Sequence, residues 1–149
     1  MMVPPFVGVW CRMIPYERFN AWRAAHELTL AVYRVTGSYP RSELYGLTSQ
    51  TRRAAFSVAA NIAEGAAKRG SVEFRRYLDI ALGSLSELSY ALRLARELDL
   101  LSVADAAVVE DARIRASKLT WGLYKLLSRR IATAKSGVAT ARPPVRQTA

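Results

Sequence analysis

Seven apolar residues stand in strictly alternating steps of four and three through the middle of the chain: Phe74, Leu78, Ala81, Leu85, Leu88, Leu92 and Ala95. On an α-helix these positions fall along one narrow stripe. A stripe of this kind is stable only when other helices cover it, so the chain is expected to fold as helices packed side by side. At 149 residues it is long enough for one domain with a sizeable core, and its 51% apolar content argues against disorder over most of its length. Glycine and proline are few and sit mainly between periodic segments or near the ends, which favours long helices over many short strands.

Three further segments share the helical period. The first runs from about Glu17 to Val35, with Phe19, Trp22, His26, Leu30 and Tyr33 at helical spacing and Ala25, Leu28 and Val32 widening the stripe. Gly37, Ser38 and Pro40 end it. The second begins between Ser42 and Thr48 and runs to Arg69, with Leu44, Leu47, Thr51, Ala54 or Ala55, Val58 and Ile62 on one face. Its many alanines make it thin, so a neighbour can approach closely. In the third, the one that carries the stripe, Ser71 is expected to cap the start and Glu73 to face the positive end of the helix dipole. Gly83 lies mid-helix at a cost of about 1 kcal/mol relative to alanine, which either a close helix crossing or simple tolerance would account for. The fourth starts at Ser102, where Asp105 three residues on resembles a capping box, and fades near Ile131. It carries Val103, Ala107, Ile114, Trp121 and Tyr124 on one face and Leu119, Leu123 and Leu126 on a second strip, as if one faced the core and the other a partner chain.

The expected fold class is all-α: an antiparallel up-down-up-down four-helix bundle over residues 16–132, an N-terminal extension at 1–15 and a disordered basic tail at 133–149. Two readings of the extension stay open. Met13 is an alternative start, or residues 1–12 form an apolar arm that packs on a neighbour.

The formal charge is +10, unevenly spread. From Leu101 to Thr120 three acids balance three bases, whereas the six bases after Trp121 (Lys125, Arg129, Arg130, Lys135, Arg142 and Arg146) face no acid. A surplus concentrated this way suits a polyanion partner. No stretch reaches the roughly 20 apolar residues of a membrane span, and neither terminus reads as a clear amphipathic helix, so no membrane partner is expected. Cys11 is the only cysteine, which excludes an intrachain disulfide and a cysteine metal cluster and fits a reducing, cytoplasmic setting.

No standard catalytic constellation is present. The single histidine, His26, lacks the Glu-x-x-His partners of a bundle metal site and reads as a packed, hydrogen-bonded side chain. Ser57, Ser84 and Ser86 have no second histidine to activate them, and Gly65 and Gly70 follow no strand that would make them a phosphate loop. Neither enzymatic activity, nor a cofactor, nor a metal is expected. Asn61 and Glu64 read as structural polar residues: Asn61 bonding across the bundle to fix register, Glu64 pairing with an arginine such as Arg75 or Arg76. The candidate nucleic-acid contacts are Arg52, Arg53, Lys68, Arg69, Arg75, Arg76, Lys125, Arg129 and Arg130. No aromatic RNA-recognition motif, zinc finger or helix-turn-helix accompanies them, so binding would follow shape and charge and fall steeply with salt.

The segments Ala21-Trp22-Arg23 to His26-Glu27-Leu28, Tyr45-Gly46-Leu47-Thr48-Ser49-Gln50, Arg52-Arg53-Ala54-Ala55, Asn61-Ile62-Ala63-Glu64-Gly65, Glu73-Phe74 and Ala81-Leu82-Gly83-Ser84-Leu85-Ser86-Glu87-Leu88 together give the chain a resemblance. It resembles the four-helix-bundle proteins encoded in intervening sequences of bacterial 23S rRNA genes, over roughly Tyr16 to Ile131. That resemblance implies an antiparallel bundle without enzymatic activity and self-association as ring-like homopentamers. Relatives include the accessory variability determinant of diversity-generating retroelements, a basic barrel that binds nucleic acid and a reverse transcriptase. By this resemblance the expected partners are nucleic acid, RNA above all, further copies of the chain, and a reverse transcriptase; a protein-interaction scaffold is the alternative. The chain departs from the family pattern at Ala59, where members often carry proline, and in its apolar extension and long basic tail.

Overall fold

The computed structural model describes the backbone of residues 14–140 and the side chains of 14–136. The apolar arm, Cys11, and the last part of the expected tail at 141–149 lie outside the described residues. Within them the chain forms α1 (Asn20–Val35), α2 (Leu47–Ala67), α3 (Ser71–Glu97) and α4 (Val103–Thr140).

Side-chain pairs fix the topology. Thr29 donates to the Ala55 carbonyl at 3.1 Å and Arg52 to Thr36 Oγ1 at 2.8 Å, so numbers rise along α1 as they fall along α2. Ser57 with Ser84 and Tyr77 with Glu64 run α3 against α2 in the same way. Arg75 over Tyr124 sets α4 against the early turns of α3. Arg115 reaches Glu27 at 3.0 Å and closes the ring from α4 back to α1. The four helices therefore pack up-down-up-down in cyclic order. Ala59 is buried within an uninterrupted α2.

The stripe on α3 faces inward throughout: Phe74, Leu78, Ala81, Leu85, Leu88, Leu92 and Ala95 are all buried. On α2 the buried face is Thr48, Thr51, Ala54, Ala55, Val58, Ala59, Ile62 and Gly65, while Leu44 stays exposed outside the helix. Two faces differ from expectation. On α1, Ala21, Ala24, Ala25, Leu28, Val32 and Val35 point inward, and His26, Leu30 and Tyr33 point outward. On α4 the core face is Val109, Ala112, Ala116, Thr120 and Leu127; Val103, Ile114 and Trp121 are exposed. One physical cause covers both. Alanines at the closest approaches let α1 and α4 pack at short range, so the inward faces mix small residues with Leu28, Val32, Val109 and Leu127, and side chains beside them, such as Leu30, Tyr33 and Trp121, turn out. His26 is accordingly exposed, not packed in the core, and stacks on Trp22 at 5.2 Å.

The ends also depart from expectation. A 3₁₀ turn at Pro15–Arg18 and extended Phe19 precede α1, which delays the helix to Asn20. Gly70, with φ 95°, takes the N-cap of α3, and Ser71 makes no capping bond. At α4, Ser102 Oγ accepts the Asp105 N–H at 3.1 Å and donates to the Asp105 carboxylate at 2.8 Å. This helix passes Ile131 and continues to Thr140, so residues 133–140 are helical and not tail. Ala132, Ala134 and Lys135 are good helix formers, and no proline interrupts the run before Pro143.

Candidate nucleic-acid interface

The antiparallel order brings four sequence-distant pieces to one end of the bundle: the turn before α1, the end of α2, the start of α3 and the last turns of α4. Gly65 makes the approach possible. A Cβ there would lie 2.7 Å from both Phe74 Cδ2 and Tyr77 Cβ, so only glycine lets α3 lie this close to α2. Phe19 packs edge-on against Phe74 at 5.2 Å and ties down the entry to α1.

A groove opens at this end. Its floor is apolar, with Phe19, Phe74, Leu123 and Leu127, and its rim carries Arg18, Lys68 and Arg130 from three separate elements. The Arg18 guanidinium lies 4.9 Å from the Phe19 ring centre. Lys68 sits 3.3 Å from Glu64 and 5.2 Å from the Tyr77 ring centre, and Tyr77 donates to Glu64 at 2.8 Å. The Tyr77 hydroxyl, then Lys68, holds the Glu64 carboxyl below its usual range, and the bond to Glu64 raises Lys68. The lysine stays charged, but the pair is exposed and weak, as surface ion pairs are. Arg18 and Arg130 pair with no acid among the described residues.

The nine expected contacts do not form one surface. Lys68, Arg69, Arg76, Arg129 and Arg130 belong to the grooved end, and Arg76 lies a loose 3.8 Å from Glu73. Lys125 is exposed one turn up α4. Arg75 is half-buried beneath the α3–α4 face, 5.9 Å from the Tyr124 ring centre. Arg52 and Arg53 sit near the other end. Arg53 is sixteen residues from Arg69 on the same chain segment, roughly 24 Å at a helical rise of 1.5 Å. Arg52 is also committed: it bonds Thr36 and lies 4.9 Å from the Tyr33 ring centre, pinning α1 to α2. Arg18 and Lys135 belong at the grooved end but were not among the expected contacts. Arg18 read as part of the first helix, and Lys135 lay beyond the expected end of the fourth.

Asn61 and Glu64 are held locally. Asn61 donates to the Ser57 carbonyl at 2.8 Å and to Ser57 Oγ at 3.0 Å, and Ser57 Oγ meets Ser84 Oγ at 2.8 Å. The bond across the bundle is therefore made by the serine pair, with Asn61 steadying it from its own helix. Glu64 pairs with Lys68, not with Arg75 or Arg76, because Tyr77 fills the space between α2 and α3 at that level. Among the described residues no group of three or more histidine, cysteine, aspartate or glutamate side chains is placed to hold a metal ion. No helix of the described residues is long and apolar enough to cross a membrane.

A family model described as 23S rRNA-intervening sequence protein matches residues 17–122. No curated protein matches the chain. The matched span ends one residue after Trp121, so Lys125, Arg129 and Arg130 lie beyond it.

Proposed function

The chain belongs to the 23S rRNA-intervening sequence protein family, and we propose that it is a non-enzymatic, oligomeric accessory protein that holds structured RNA, or an RNA–DNA intermediate, against the basic end of its bundle. The observation that carries this reading is the groove where Arg18, Lys68 and Arg130 meet. Cations drawn from three elements into one concave rim offer a phosphate backbone several contacts at once. Such contacts position a nucleic acid without reading its sequence. Arg69, Arg76, Arg129 and Lys135 widen the same end.

Self-association into a ring, with five copies as in the proteins it resembles, would repeat this patch around an axis and add avidity to weak single contacts. Leu30 and Tyr33 on α1 and Ile114 on α4 are exposed apolar surface suited to such contact or to a reverse transcriptase. The same residues favour a second reading, a protein-interaction scaffold that leaves nucleic acid alone.

Ultraviolet crosslinking of the full chain to a structured RNA, followed by mapping of the modified peptides, separates the two. The first reading expects adducts in 15–19, 68–77 and 125–135 and few near Arg52 or Arg53. Adducts spread evenly over the bundle, or none at low salt, would contradict it.

A further inference from the structure

Trp121 is 49% exposed, yet it is not a loose surface side chain. Its ring lies parallel to that of Tyr124, 8° apart at 5.2 Å between centres. Tyr124 in turn lies 5.9 Å from the Arg75 guanidinium, whose Nε is buried with no hydrogen-bond partner among the described residues. Guanidinium, phenol and indole thus neighbour one another in that order, and the indole stays half exposed.

The surroundings are cationic. On α4, Lys118 and Lys125 stand three residues before and four after Trp121, the spacings that make helix neighbours, and both are exposed without an acid partner among the described residues. From Ala112 to Ser136 α4 carries no acid at all. Above Trp121 the α3–α4 groove continues between Leu82, Ser86 and Ser89 on one side and Arg113 and Ser117 on the other. Hydroxyls, cations and one rigid aromatic plate along a groove match the chemistry of single-stranded polynucleotide, whose bases are free to stack. Base-paired RNA would find no use for the plate, since its bases already stack on one another.

We propose that the α3–α4 groove is a single-strand track, with Trp121 as its stacking platform for an unpaired base and Lys118 and Lys125 as its backbone cations; Arg113, held by Glu110, only lines its wall. This rests on the proposal that the basic end binds nucleic acid, and it adds that the bound molecule has an unpaired segment leaving that end along α4.

The test measures binding of the full chain to a labelled oligouridylate of about 12 nucleotides and to a blunt-ended two-strand RNA duplex. Stacking on one aromatic is worth a factor of roughly 5 to 150 in affinity. Trp121→Ala is expected to weaken oligouridylate binding by a factor in that range, with the salt dependence unchanged because no charge is lost. Trp121→Phe should keep most of the affinity, and duplex binding should be the same in all three proteins. Oligouridylate should also quench the tryptophan emission of the native chain more than that of Trp121→Phe, which keeps Trp10 and Trp22, a readout that survives if the alanine variant fails to fold. Equal loss for both RNAs, or no loss for either, would overturn the track while leaving the basic end standing. A change of oligomeric state on sedimentation, with oligouridylate binding intact, would also overturn it and make this face a chain–chain interface. If the native chain bound neither RNA, the basic-end reading would fall and the track with it.

Discussion

Gly65 and Gly83 are the same residue type on facing helices with opposite consequences. At Gly65 a Cβ would run into Phe74 and Tyr77 at 2.7 Å, whereas at Gly83 it would meet nothing within 4 Å. A close crossing at Gly83 is thereby excluded; the glycine there is tolerated. Gly65→Ala is expected to destabilise the bundle by about 1–3 kcal/mol through overpacking, and Gly83→Ala to stabilise it by about 0.5–1 kcal/mol through helix propensity. Urea unfolding at a fixed protein concentration reads both. The sequence marks both positions equally, because nothing local to a glycine says whether a neighbouring helix passes over it. Thr120 hides in the same way: a polar residue among apolar ones reads as surface, yet it is fully buried in the core face of α4.

Among elements, α3 was the most legible because its large apolar residues face inward at strict spacing. On α1, Ala25, Leu28 and Val32 face inward as the spacing predicts, while His26, Leu30 and Tyr33 do not; on α4 the expected face of Val103, Ile114 and Trp121 is turned outward. Alanines and a threonine face the core while Trp22, His26, Leu30, Tyr33 and Trp121 flank or leave it. A reading that follows bulk widens the α1 face by a few outward residues and rotates α4 toward the wrong neighbour. The start of α4 was legible, since Ser102 and Asp105 carry a cap in their identities and spacing. Ser102→Ala should lower stability by about 0.5–2 kcal/mol, measurable by thermal unfolding. Two to three turns on, Arg113 Nε donates to Glu110 at 2.8 Å, and this bond holds the Glu110 carboxyl below its ordinary value of 4.5. A carboxyl lowered in the folded state contributes stability that is present above its unfolded value and lost as pH falls through its folded one. The stability difference between the native chain and Glu110→Gln should therefore hold near neutrality and shrink as pH drops below about 4.5, which unfolding curves across pH would record. A difference that stays constant into acid would mean the pair adds nothing to folding.

At the scale of the whole molecule, the antiparallel course sorts the charge. Four lengths of chain deliver Arg18, Lys68, Arg69, Arg76, Arg130 and Lys135 to one end and leave Arg52 and Arg53 at the other. The composition shows that a surplus exists; only the packing of α4 beside the turn at Gly70 gathers it. The most direct test of this account is a salt titration of structured-RNA binding. It compares the native chain with Arg18→Gln/Lys68→Gln/Arg130→Gln and with Arg52→Gln/Arg53→Gln. Each lost phosphate contact should reduce the slope of log K against log salt by about 0.7–0.9, so the first variant should bind more weakly with a slope shallower by about 2–3. The second should keep the native slope. Equal slopes in all three proteins, or a larger drop in the second variant, would contradict the basic end as the binding surface.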